Sequence, residues 1–194
     1  ILEAVSFTFF PQEPGEEDER SLRGSLQQFR VRMTALRHQL SEILGPRANE
    51  IVFLLAGYNS VTWEPGPQTL SDMQVLWLSE MIGALVESGV DLAAYWTLLS
   101  ESSPRGGDYG LIQRSPDFPP RPAYYVFQAF RRLQGGRWWA LPPGVTDLSL
   151  QAVEGTDGEL YLVLIHWGSS TDAMDLRVRR NGRVFQVTEA WHVT

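Results

Sequence analysis

The segment Ile51–Val61 reads Ile-Val-Phe-Leu-Leu-Ala-Gly-Tyr-Asn-Ser-Val, an unbroken apolar run that gives way to aromatic, amide and hydroxyl side chains. A short apolar run without alternation predicts a strand covered on both faces, as in a parallel sheet. Two more runs of this kind flank it, Ala4–Phe10 and Leu92–Trp96. Between the first two, Leu22, Leu26, Phe29, Met33, Leu36, Leu40 and Ile43 recur at spacings of four and three. That spacing puts one apolar stripe on an amphipathic helix, which Gly45-Pro46 ends. Pro11, Pro14 and Gly15 break the first strand, and the acidic loop Glu16–Glu19 follows.

A second helix is predicted over about 71–87. Its Val75, Leu76, Leu78, Met81, Ile82, Leu85 and Val86 are apolar on more than one face, so it should be well buried, with Gly89 closing it. After Leu92–Trp96 a long loop rich in Gly, Pro and Ser runs to Pro122, and a third helix over about 123–133 ends at Gly135-Gly136. The chain thus repeats strand and helix three times, with strands spaced about 45 residues apart. Both a β/α barrel and a doubly wound sheet fit that pattern.

Past Leu141–Gly144 the period changes to two. Leu148, Leu150 and Ala152 alternate with polar residues, and Leu160, Leu162 and Leu164 follow the turn Gly155–Gly158. Met174, Leu176 and Val178 alternate again, Asn181-Gly182 signals a hairpin, and Val184–Val193 returns. The fold class is therefore α/β: a partial β/α barrel over 1–140, then an antiparallel β-domain of about four strands over 141–194.

Composition narrows the chemistry. The chain has 194 residues and a net charge of -7, which argues against nucleic acid as the main partner. All 16 basic residues are Arg and there is no Cys, so Lys Schiff bases, thiolates and disulfides are excluded. No apolar run is long enough for a membrane-spanning helix. The chain opens on Ile1 inside one apolar run and closes on Trp191–Thr194 inside another, as expected of a piece of a larger protein.

Phe9-Phe10-Pro11, Tyr58-Asn59 and Tyr95-Trp96 end the three parallel strands. In a β/α barrel, that end carries the site. Aromatic faces there can stack on sugar rings and amides can bond hydroxyls; packing of the barrel top is the alternative reading.

The ordered segments "VSFTFFPQ", "FLLAGYNSV", "GALVESGVDLAAYWTLLS" and "YGLIQRSPDFPPRPAYYVFQAFRRLQG" resemble the second half of a clan A retaining glycoside hydrolase of families 39 and 51. The resemblance covers roughly residues 4–135 and, more loosely, the β-domain. It implies a sixth strand ending at Phe10, a seventh ending in a Thr-Glu-aromatic-Asn-Ser motif whose Glu is the nucleophile, an eighth carrying Ala-Tyr-Trp, and a β-sandwich beside the barrel. The departures are specific. Gly57 stands at the nucleophile position, in Ala56-Gly57-Tyr58-Asn59-Ser60, and Thr8 stands where the family has His. The acid/base strand lies outside this chain. Retaining hydrolysis uses two carboxylates about 5 Å apart, so the chain alone is expected to be inactive. The non-enzymatic alternative is a sugar-binding or scaffold module derived from a glycosidase.

On this resemblance Phe10, Tyr58, Asn59, Trp63 and Trp96 are the expected sugar contacts, with Trp96 as stacking platform and Asn59 as hydroxyl partner. Glu64, Glu101 and Asp108 read as solvated loop charges, Glu80 and Glu87 as helix residues away from the strand ends, and Gly106-Gly107 as a loop breaker. His38, His166 and His192 are too scattered for a metal or a triad. Asp147, Asp157, Asp172 and Asp175 are ungrouped, so no metal or other cofactor is implied. Three strands cannot close a barrel. A partner is therefore expected besides carbohydrate: a preceding segment, a second polypeptide or self-association.

Overall fold

A computed structural model describes residues 2–114, 117–139, 141, 147–168, 179–180, 183–184 and 189–190. Strand β1 (Ala4–Phe9) leads into helix α1 (Glu19–Leu44), then β2 (Val52–Tyr58), α2 (Asp72–Glu87) and β3 (Leu92–Tyr95). The three strands form one parallel sheet in the order β1-β2-β3. The short strands β4 (Leu99–Ser100) and β5 (Ile112–Gln113) pair within the following loop, before α3 (Pro122–Phe130).

The two sheet faces have different fates. Phe9, Phe53, Leu55 and Tyr58 turn toward the helices and are buried with Leu22, Leu26, Phe29 and Met33 of α1 and Trp77, Leu78 and Met81 of α2. Phe9 meets Phe29 edge-on at 5.0 Å between ring centres, a favoured aromatic geometry. On the other face, Ala4 lies level with Val52, Ser6 with Leu54, and Leu54 with Leu92. Val52 is 42% exposed and Leu92 59%. The strands lack alternation in sequence because both faces are apolar; the described residues cover only one. They form no closed barrel.

Helix α1 starts where Asp18 accepts the Ser21 N–H at 2.9 Å, an N-cap bond. It ends at Gly45, whose φ of 58° suits glycine. Its stripe is buried as the spacing predicts from Leu22 to Met33 and at Leu40, with Leu36 half-buried, but not at the last turn. There Ile43 is 76% exposed, and Leu44 takes the inward position. Helix α2 is buried on several sides, against the sheet, against α1 (the Trp77 indole N–H donates to Ser25 Oγ at 3.2 Å) and against the β-domain.

Strands β6 (Arg137–Trp139), β7 (Leu148–Glu154) and β8 (Leu160–His166) form a second, antiparallel sheet, whose first strand precedes residue 140. The leucines at 148, 150, 160, 162 and 164 do share one face. The opposite face packs on α2: Ile165 is buried, Gln151 Nε2 donates to the Ser79 carbonyl at 3.2 Å, and Ser149 donates to Glu80. Glu80 also accepts the Trp167 indole N–H at 2.7 Å. Gly83 makes room for Gln151, whose amide nitrogen would lie 2.4 Å from a Cβ there. Arg23 ties α1 to the same junction through Asp147. Strands β9 (Arg179–Arg180) and β10 (Arg183–Val184) pair antiparallel, with Arg180 opposite Arg183. The run Met174–Val178, the Asn181-Gly182 turn, Asp172, Asp175, His192 and most of Val184–Val193 lie outside the described residues.

The stripe supplies a direct stability test. Phe29→Ala should destabilise the protein by about 3–5 kcal/mol, whereas Ile43→Ala should change stability by less than about 0.5 kcal/mol. Urea unfolding followed by circular dichroism distinguishes the two.

Candidate functional site

At the C-terminal end of the sheet a bulge shifts the β1–β2 register, so that Thr8 lies opposite Gly57. Gly57 is buried, yet nothing about its backbone demands glycine. A Cβ there would meet the Phe10 ring at 3.7 Å and Thr8 Cγ2 at 3.9 Å, ordinary contact distances. A side chain at 57 would therefore project beside Thr8 and Phe10.

The five expected contact residues divide into two groups. Trp63 is 66% exposed and Trp96 52%, while Phe10 is half-buried. Tyr58 is 2% exposed, with its ring 6.3 Å from that of Trp77 and 5.6 Å from that of Tyr95. Burial, with Tyr95 adding to it, pushes its hydroxyl above the usual tyrosine range, so Tyr58 packs under the rim rather than on it. Asn59 is fully buried: its amide donates to the Trp96 carbonyl at 2.6 Å, and its oxygen accepts from Gln74 Nε2 at 3.0 Å and from the Ser60 N–H at 2.7 Å. The side chain thus joins the ends of β2 and β3 to the first turn of α2 and orients the Trp96 backbone. The Trp96–Thr97 peptide is cis. Burial also raises the Tyr95 hydroxyl to about 12, against the opposing bonds from Gln74 and Asn59.

Beneath the exposed aromatics the loops interlock through polar residues whose roles are invisible in local sequence patterns. Gln12 is 3% exposed; its amide donates to the Asp18 carbonyl at 2.7 Å and to Ser21 Oγ at 2.6 Å, and its oxygen accepts from Gln68 at 2.6 Å. Asp108 is not a solvated loop charge. It is 2% exposed, accepts from Arg121 at 2.7 Å and from the Gly110 N–H at 2.6 Å, and also bonds Ser100. Its own N–H donates to Thr69 Oγ1 at 3.1 Å. Gly107 does more than break a loop. Its N–H donates to the Pro65 carbonyl at 3.0 Å, and a Cβ there would fall 2.2 Å from the Gly66 carbonyl oxygen, so only glycine allows this approach.

Several other carboxylates are engaged elsewhere or solvated. Glu64 is exposed at a φ of 47°. Glu101 forms an exposed pair with Arg114 at 2.6 Å. Glu87 pairs with Arg30 at 2.8 Å, and Asp157 accepts the Tyr161 hydroxyl at 2.6 Å. His38 lies 3.6 Å from Glu42 on the open surface of α1. Among the described residues no group of three such side chains is arranged to hold a metal, and no helix is long and apolar enough to cross a membrane. A recess of about 570 Å³, lined by Arg30, Arg37, Asn49, Glu87 and Asp91, lies by the end of α2 and the start of β2, away from the aromatic rim.

No protein-family model matches the chain, and no curated protein matches it. Solved structures do resemble it. A GH51 arabinofuranosidase from Xanthomonas axonopodis pv. citri superposes with a TM-score of 0.61 at 16% identity, over 87% of this chain and 39% of that one. A family 39 glycoside hydrolase from Bacteroides cellulosilyticus WH2 gives 0.53 at 16% identity, over 77% and 30%. A 4-O-α-L-rhamnosyl-β-D-glucuronidase from Fusarium oxysporum 12S gives 0.51 at 16% identity, over 89% and 35%. At that identity the likeness is one of fold. The chain spans well under half the length of each of these enzymes.

The Asp108–Arg121 pair offers the sharpest test of the interlocked loops. Removing one partner of a buried ion pair leaves the other charge unpaired, so Arg121→Ala should cost about 3–5 kcal/mol. Denaturant titration should record that loss; a change within about 0.5 kcal/mol would mean that the pair is solvated.

Proposed function

We propose that the chain is the sugar-binding part of a glycoside-hydrolase-type β/α barrel, silent in hydrolysis by itself. The observation that carries this reading is the pair Trp63 and Trp96, 66% and 52% exposed, on the loops that follow β2 and β3. Large exposed aromatics at the C-terminal end of a parallel sheet suit a ligand with flat apolar faces. The fold likeness to three carbohydrate-acting enzymes supports a sugar as that ligand. Phe10 would form the wall on the β1 side. Asn59 would act through the Trp96 backbone that it holds, and Tyr58 as support from below.

Hydrolysis needs more than binding. In this reading Gly57 occupies the nucleophile's place and leaves the position beside Thr8 and Phe10 without a carboxylate. Of the shielded acids of the rim, Asp108 is paired with Arg121 and Glu17 is held by the Gly15 and Gly66 N–H groups. The second carboxylate would come from strands that complete the sheet, on a preceding segment or a second polypeptide. The open apolar face with Val52, Leu54 and Leu92 is where such strands would pack.

Titration with arabino- and xylo-oligosaccharides, followed by tryptophan fluorescence, tests the binding claim. Quenching is expected, and Trp96→Ala should weaken binding at least about tenfold, equivalent to 1.4 kcal/mol. An aryl arabinofuranoside should show no turnover. Unchanged affinity in the variant would displace the site, and measurable turnover would refute the silent reading.

A further inference from the structure

Three rim loops meet at one carboxylate. Glu17 lies in the loop after β1; its Oε2 accepts the Gly15 N–H at 2.6 Å, and its Oε1 accepts the Gly66 N–H, in the loop after β2, at 2.9 Å. Arg105, in the loop after β3, approaches Oε2 at 3.5 Å. The Glu17 side chain is only 11% exposed. The contact is close enough that a Cβ on Gly66 would fall 2.7 Å from Oε1. Burial works against the ionised form, but the backbone donors of Glu17, Gly66 and Gly15, with Arg105, outweigh it and hold the carboxyl below its ordinary value of 4.5. Tyr109, on the same loop as Arg105, registers the charge: burial and Glu17 together push its hydroxyl up to about 12.

The tie reaches both exposed tryptophans. Trp63 stands three residues before Gly66 in the same loop. Trp96 precedes Thr97, whose N–H donates to the Tyr109 carbonyl at 3.2 Å. We propose that Glu17 is the positioning residue of this rim, whose carboxylate locks the loops after β1, β2 and β3 together and so sets Trp63 relative to Trp96. The proposal rests on the sugar-binding reading for its consequence, not for its geometry. The neighbouring Gln12–Gln68 and Thr69–Asp108 contacts each join two segments through a neutral hydrogen bond. Glu17 joins the loops after β1 and β2 through short charge-assisted bonds, which are roughly twice as strong, and reaches the third loop through the longer 3.5 Å approach of Arg105.

The test uses the 194-residue chain with Glu17→Ala and, as a milder change, Glu17→Gln. Backbone amide hydrogen exchange reports local opening. Exchange across residues 62–69 and 103–109 should rise about tenfold in Glu17→Ala and less in Glu17→Gln, which keeps one oxygen acceptor; amides of α1 and α2 should keep their protection. Affinity for xylo-oligosaccharides, read by tryptophan fluorescence, should fall in the same order. Unchanged exchange in the two loops overturns the proposal, as does raised exchange with unchanged affinity. A wild type that binds no oligosaccharide, while the loops still loosen in the variants, upholds the tie and refutes the sugar reading.

Discussion

A parallel sheet needs cover on both faces, because its strands are apolar on both. In the β1–β2–β3 sheet the described residues provide that cover once. Phe9, Phe53 and Leu55 are packed under α1 and α2, while Val52 and Leu92 face outward at 42% and 59% exposure. Much of the rest follows from this asymmetry. The helices lie on the packed face, so the opposite side of the sheet stays open. Among the described residues β1 and β3 each pair only with β2, which leaves the ladder groups of their outer edges for additional strands to take.

The C-terminal rim answers a different constraint. Loops crossing the end of an apolar sheet bring backbone polar groups out of water, and each needs a partner. Most of the buried polar side chains gather there: Gln12, Asn59, Ser60, Gln68, Thr69, Gln74 and Asp108. Gln12–Gln68, Thr69–Asp108 and Asn59–Trp96 run between loops, while Gln12–Asp18, Thr69–Gly66 and Asp108–Gly110 brace single loops from within. A rim held in this way can present exposed aromatics at fixed positions, which lowers the ordering cost of binding.

The elements were legible in the sequence because their signals are local. The apolar run at 51–55 gave a strand, the Leu22-to-Leu40 spacing a helix, and the many-sided apolarity of 71–87 a well-buried helix. The misses share a cause. Ile43 lies on the stripe by spacing, but Leu44 is the residue that reaches the core. Alternation in β7 and β8 does not say which face packs on α2; the face bearing Ser149 and Gln151 does so, received by Glu80, Ser79 and Gly83. Nothing near Asp108 in sequence marks Arg121 as its partner, and nothing near Glu17 marks Gly66. Polar pairing over long separations has no period, so it leaves no trace in a single sequence. The aromatic strand ends were visible for the same reason as the strands, but which rings face outward was decided by packing. Trp96 is exposed and Tyr58 is not.

An apolar face left this open calls for a cover. Sedimentation equilibrium of the 194-residue chain alone, beside a Val52→Asp/Leu92→Asp double variant, tests it most directly. The account predicts that the chain associates through its exposed apolar face, and that the variant sediments as a monomer. A wild-type chain that remains monomeric and cooperatively folded at high concentration would contradict it.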